Sequence, residues 1–274
     1  MLPASGLGVI LIAVLGVLGV AATVWVFWPA FRGPEAARKA IGTHRLAVGS
    51  LLAFVVFSVA ITAPMASYLH LEQGLNAATF VVAALLTQIP MLLVVYLRLI
   101  LPGAVTWREL GLRPVPVGYW LRMGVGAGLV GVVAIEAVGI LLSQVGLQPN
   151  QLEQFEFVRS EGPLQFGLLL ISAAVVAPFV EELFFRGFLF GLYRRRQPLW
   201  VAYGVPSLLF TLLHNDPSHM TVPQMVGLSV GIFMLAMLLT WLYQHTGSLY
   251  PGMLAHGLNN ATGLILVYTG AGLQ

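Results

Sequence analysis

The sequence predicts an all-α fold, a polytopic transmembrane helical bundle of about eight spans. Three observations predict it. Of 274 residues, 58% are apolar and 8% charged, too little polar surface for a water-soluble globule of that size. The apolar residues gather into stretches near the roughly 20 residues that a helix needs to cross hydrocarbon. Basic residues recur in alternate connections between these stretches, the asymmetry that orients membrane proteins. Only helices or closed barrels satisfy their backbone in lipid, and stretches this long indicate helices.

The stretches run 6–28, 47–69, 76–102, 117–144, 164–191, 199–214, 222–245 and 248–270. The first has no Lys or Arg between Met1 and Val9, so it lacks the basic start of a secretory signal and is expected to remain a span. The second and third flank a short polar connection. The fourth opens at Arg122 and carries Glu136, for which a polar contact or a place near the outer interface is the expected role. The fifth contains Pro178, which removes a helix hydrogen bond and is expected to kink or open the helix. The sixth, at 16 residues, is short for a span. The seventh and eighth complete the bundle.

Arg32, Arg38, Lys39 and Arg45 follow the first stretch, Arg98, Arg108 and Arg113 the third, and Arg194, Arg195 and Arg196 the fifth, whereas the alternate connections offer only Arg159. The positive-inside rule then places both termini outside. The connection 148–162, with Glu153, Glu156 and Glu161, is expected to be a polar or interfacial segment. The sequence holds no cysteine, which excludes disulfides, thiolate ligands and a thiol nucleophile. The net charge of +3 is read as membrane orientation, and no nucleic-acid partner is expected.

Within the apolar stretches remain Glu136, Glu181, Glu182, Arg186, His214 and His256. Each costs at least a few kcal/mol unless paired or facing water, which makes such groups functional candidates. At about 1.5 Å of rise per residue, Glu181, His214 and His256 fall roughly 12 to 22 Å below the inner surface, where one cavity could unite them. Glu182 and Arg186 are four apart and share a helix face, so they are expected to pair. Glu181, rotated by about 100°, has no such partner and is free to face a cavity as a general base. His256 and Asn260 also lie four apart. Both can donate to developing oxyanion charge, although an interhelical hydrogen bond is the ordinary use of such an asparagine.

In order, these residues resemble the type II CAAX prenyl endopeptidase family, also called the CAAX protease and bacteriocin-processing or ABI family. E-E-x-x-x-R is Glu181, Glu182 and Arg186; F-x-x-x-H is Phe210 and His214; H-x-x-x-N is His256 and Asn260. The resemblance covers about residues 164–265, and Glu109-Leu110-Gly111-Leu112 looks like a family-typical stretch. It implies N-terminal transmembrane helices over 1–150 and a catalytic membrane core over 151–274. It further implies an intramembrane endopeptidase, a hydrolase of the cell membrane; a short, compact chain with both ends outside looks more like a prokaryotic member, and the depth of the candidate residues predicts a site opening toward the cytoplasmic half.

Carried over by position, Glu181 is the base and His214 orients the water. His256 and Asn260 hold the oxyanion, Glu182 and Arg186 keep Glu181 oriented, and Phe210 packs beneath His214. The implied partners are membrane lipid and a membrane-associated protein or peptide, prenylated C-a-a-X proteins being the eukaryotic case. The resemblance implies a glutamate mechanism without a cofactor. One Glu and two His also match a catalytic zinc site, which stays open as the alternative. A proton-relay transporter and a membrane partner or immunity protein with little turnover are the competing functions.

Overall fold

The computed structural model describes residue 21 and residues 32–68, 76–147, 153–215 and 220–271, with backbone alone for 61–68 and 153–156. The described residues form helices and connecting turns. We label them α1 (Arg32–Ala40), α2 (His44–Tyr68), α3 (Ala77–Ile100), α4 (Val117–Ser143), α5 (Pro163–Tyr193), α6 (Leu199–Leu212), α7 (Val222–Thr246) and α8 (Tyr250–Thr269). A short 3-10 helix, Glu153–Ser160, precedes α5.

Among the described residues α3, α4, α5 and α7 are long and apolar enough to cross a membrane, and α1 with His44–Ala60, bent by 104°, makes a fifth candidate. The protein is an integral membrane protein with fewer demonstrable spans than the eight stretches expected. The stretch 6–28 lies outside the described residues. The stretch 199–214 yields only the 14-residue α6. The last stretch forms the 20-residue α8, whose His256, Asn259, Asn260 and Thr262 dilute its apolar character. That helix is lined by protein, packing along α4, α7 and α5.

Helix ends follow from local chemistry. Asn76 and Thr79 form a reciprocal capping box at the start of α3, and the carboxylate of Glu161 accepts from Ala77 N at 2.6 Å. An acidic group there also meets the positive end of the helix dipole. Thr221 and Gln224 form a second box at the start of α7, which ends at Gly247 in the left-handed conformation, φ +60°.

Glycines set the α4–α8 contact. A Cβ at Gly124 would lie 2.9 Å from a Leu254 methyl, one at Gly128 2.9 Å from a Leu258 methyl, and one at Gly131 2.9 Å from the Asn259 amide. Small residues four apart let helix backbones approach where lipid offers no hydrophobic drive. Asn259 uses that proximity to donate to Gly128 O at 3.3 Å.

The stretch Glu109-Leu110-Gly111-Leu112 plugs the basic end of the bundle. Leu110 is fully buried, its carbonyl accepts from the Tyr243 hydroxyl at 3.3 Å, and the carbonyl of Gly111 accepts from Leu249 N at 3.0 Å. Gly187 of α5 leaves room for the Leu110 carbonyl, which would stand 2.6 Å from a Cβ there. The basic connections also meet: Arg38 donates to Gly103 O at 3.4 Å, Arg196 to Lys39 O at 2.8 Å, and Tyr193 contacts His44.

Candidate active site

The site grows from an irregularity in α5. Pro178 has no N–H to donate, and around it the helix widens into π-helical turns at Ser172–Val176 and Glu182–Phe190. The opening expected of Pro178 is therefore present. Such widened turns leave carbonyls without ordinary helical partners and recur at functional sites. Here α8 meets two of them. Asn260 Nδ2 donates to Ala173 O at 2.8 Å, and Gly257 lies directly against the carbonyl of Ala174. Any Cβ at position 257 would collide with that oxygen, whereas glycine can present a Cα–H to it.

This docking brings His256, one residue before Gly257, onto the acidic face of α5. Oε1 of Glu182 accepts from Arg186 Nη1 at 2.8 Å and lies 3.1 Å from His256 Nδ1. Arg186 Nη2 also donates to Ala236 O of α7 at 3.2 Å, and its guanidinium stacks 4.5 Å above the Phe210 ring. Side chains of Glu182 and Arg186 are 0% and 1% exposed, so the pair expected from their spacing is present and shielded from water. Gly252, one helical turn before His256, makes room for Glu182: a Cβ there would lie 3.0 Å from Oε2.

Where helical phase alone gives Glu181 no partner, the structure brings its Oε2 within 3.7 Å of His256 Nε2. Adjacent carboxylates thus address opposite nitrogens of one ring. The reason lies in the third dimension: α8 crosses α5 closely enough for one imidazole to meet both, which a helical wheel of α5 cannot register. Glu181 is 16% exposed, and its Oε2 has no hydrogen-bond partner among the described residues.

His214 sits just past the end of α6. Its Nδ1 is 2.7 Å from Phe210 O, and because a carbonyl only accepts, Nδ1 carries a proton, so the neutral ring has its lone pair on Nε2. The Phe210 ring links the two histidines, with centroids 4.4 Å from His214 and 5.6 Å from His256. Phe210 is fully buried and packs edge-on against Phe185. Among the described residues no hydrogen bond or ion pair joins His214 to Glu181 or His256.

Glu181, Glu182, Arg186, His256 and Phe210 therefore form one contiguous cluster, with His214 on its edge. Asn260 makes the interhelical hydrogen bond that is the ordinary use of such a residue. Glu136 stands exposed on the outside of α4, apart from the cluster. No three His, Asp or Glu side chains among the described residues gather as a metal site would require. Gly252 and Gly257 escaped the sequence reading. Their spacing of four and one from His256 on the same helix is the signal that marks them.

Residues 163–262 match the family model of the Type II CAAX prenyl endopeptidase Rce1-like proteins. All seven motif residues lie within that interval. No curated protein and no solved structure matches the chain.

Proposed function

Starting from a chain whose residues 163–262 are those of the Type II CAAX prenyl endopeptidase Rce1-like family, a protease family, we propose that it hydrolyses a peptide bond in a membrane-associated protein or peptide. The observation that carries this reading is that Oε2 of Glu181 has no hydrogen bond among the described residues and lies 3.7 Å from an imidazole already held by Glu182. A fixed ring next to a free carboxylate oxygen is an arrangement for moving protons.

In this mechanism Glu181 takes a proton from water as the water adds to the scissile carbonyl, and His214 orients that water through the lone pair on Nε2. Electrons of the carbonyl π bond move onto oxygen. His256, tied at Nδ1 to Glu182, can donate to that oxygen from Nε2 when both ring nitrogens carry a proton, and Asn260 retains one N–H beyond its bond to Ala173. The C–N bond then breaks as Glu181 returns the proton to the leaving amine. Arg186 neutralises Glu182 and fixes it to α7 through Ala236.

The catalytic core is assigned to 151–274, in a prokaryotic plasma membrane, with the basic end toward the cytoplasm. Orientation rests on the positive-inside rule. The reaction uses no cofactor in this reading, and the substrate is lipid-linked or otherwise membrane-embedded, with prenylated C-a-a-X proteins one class. The test is cleavage of a quenched fluorescent peptide library, including prenylated C-a-a-X peptides, by purified protein with and without chelator. Cleavage should vanish in Glu181→Gln and persist in chelator. Activity surviving Glu181→Gln would sink the mechanism, and loss in chelator restored specifically by zinc would replace it with the metal-dependent one.

A further inference from the structure

A cavity of about 630 Å³ opens at the basic end of the bundle, lined by Arg108, Arg113, Arg194, Glu109, Tyr243 and Gln244 among others, and by none of the seven motif residues. Gly191, at its wall, is ten residues beyond Glu181, about 15 Å along α5. It is therefore a separate site. Its lining carries three guanidinium groups and one carboxylate. That carboxylate is already engaged: Glu109 accepts from Thr106 N at 2.8 Å and from Thr106 Oγ1 at 3.0 Å. Arg113 donates to Thr246 O at 3.3 Å, whereas the guanidinium groups of Arg108 and Arg194 have no hydrogen-bond or ion-pair partner among the described residues. Gly247 leaves space for the Arg113 guanidinium that lies across it.

The height of this cavity in the membrane is set by tryptophan. Among the described residues the tryptophans are Trp107, Trp120, Trp200 and Trp241, and all four lie toward the basic end. Trp107 is in the connection beside Arg108, Trp120 and Trp200 open α4 and α6, and Trp241 is one turn from the end of α7. Trp107, Trp200 and Trp241 are 40%, 77% and 41% exposed. Exposed tryptophans gathered toward one end of a bundle mark the side where headgroups meet hydrocarbon. A hollow on that side with two uncommitted guanidinium groups suits a phosphate, which arginine grips through paired N–H donors.

We propose that this cavity binds the phosphate of an anionic glycerophospholipid headgroup from the leaflet at the basic end. The inference is independent of the proteolytic reading. Its test uses the full chain in neutral detergent, with bound lipid measured by native mass spectrometry. Phosphatidylglycerol should bind at least ten-fold more tightly than phosphatidylcholine. The double variant Arg108→Gln/Arg194→Gln should lose at least ten-fold in phosphatidylglycerol affinity. Arg45→Gln/Arg122→Gln, which removes equal charge from exposed positions at the same end but off the cavity, should stay within about two-fold of wild type.

Equal loss in both double variants would overturn the site in favour of diffuse charge attraction. Wild type without preference for phosphatidylglycerol would overturn it without recourse to any variant. Displacement of phosphatidylglycerol by inorganic phosphate would replace the lipid with a soluble anion, and displacement by an acidic peptide would replace it with a protein partner.

Discussion

Oε1 of Glu182 is shared by two partners, the Arg186 guanidinium at 2.8 Å and the Nδ1 of His256 at 3.1 Å. One oxygen therefore joins α5 to α8, and through Arg186 and Ala236 to α7. Glu181, its neighbour in sequence, makes the looser approach to the same ring. Substitutions at these two glutamates should accordingly separate stability from activity.

Glu182→Ala leaves a fully buried guanidinium without its carboxylate. Breaking a buried pair from one side costs about 3–5 kcal/mol. The midpoint of thermal unfolding in detergent should fall sharply, and Glu182→Gln, which keeps an acceptor oxygen, should recover part of the loss. An unchanged midpoint in Glu182→Ala would remove the pair from the stability of the fold.

Glu181→Gln should behave oppositely. The residue is partly exposed and lacks a committed hydrogen bond at Oε2, so unfolding should move by less than about 0.5 kcal/mol. Peptide cleavage should drop by a factor of about 10² or more. His214→Phe should likewise remove activity while leaving the fold, since among the described residues its ring hydrogen-bonds only to its own helix end.

Asn260→Ala should destabilise the docking of α8 by about 0.6 kcal/mol, the mean for interhelical hydrogen bonds in membranes, and by no more than about 1.7 kcal/mol. Gly257→Ala should cost more, because its methyl would strike the Ala174 carbonyl and push the helices apart. Thermal unfolding ranks the two. If Asn260→Ala abolishes cleavage far beyond its stability effect, the residue has a catalytic share as well.

Outside the membrane, the backbone N–H of Thr106 holds the Glu109 carboxyl below its usual range, against the opposing effect of burial and with help from the Thr106 hydroxyl, Arg38 and Arg195. A carboxyl lowered in the folded state contributes stability that is present above its unfolded value, about 4.3, and is lost as pH falls through the folded one. Hydrogen exchange of the 106–112 backbone should therefore quicken only in acid below that value. Thr106→Val should move the onset upward.

The helices and the motif spacing were legible because each is local. Glu182 and Arg186 meet through i, i+4 geometry, and Phe210 packs against His214 in the same way. The partner of Glu181 was not legible, since it depends on how closely α8 crosses α5. That approach is set by Gly252 and Gly257, and by a widening at Pro178 that a regular helical wheel does not contain. Fewer spans than the eight stretches qualify among the described residues for a related reason: apolar length does not reveal whether a helix such as α8 is lined by lipid or by protein. The cavity near Arg108 and Arg194 draws on residues 86 apart in the chain.

α6 covers 14 residues, about 21 Å, against hydrocarbon of about 30 Å. Just beyond its end, Asn215 donates to Ser229 Oγ at 3.0 Å, anchoring that level to the interior of α7. Lipid beside α6 must therefore dip to meet a helix that stops early. Its outer face, with Val205, Leu208 and Leu212 exposed, keeps acyl chains in contact to the last turn. Such mismatch has a cost that depends on tail length. Short-tailed lipids should therefore suit the corner beside His214 better than long-tailed ones, which makes bilayer thickness a variable to which this part of the protein is expected to respond.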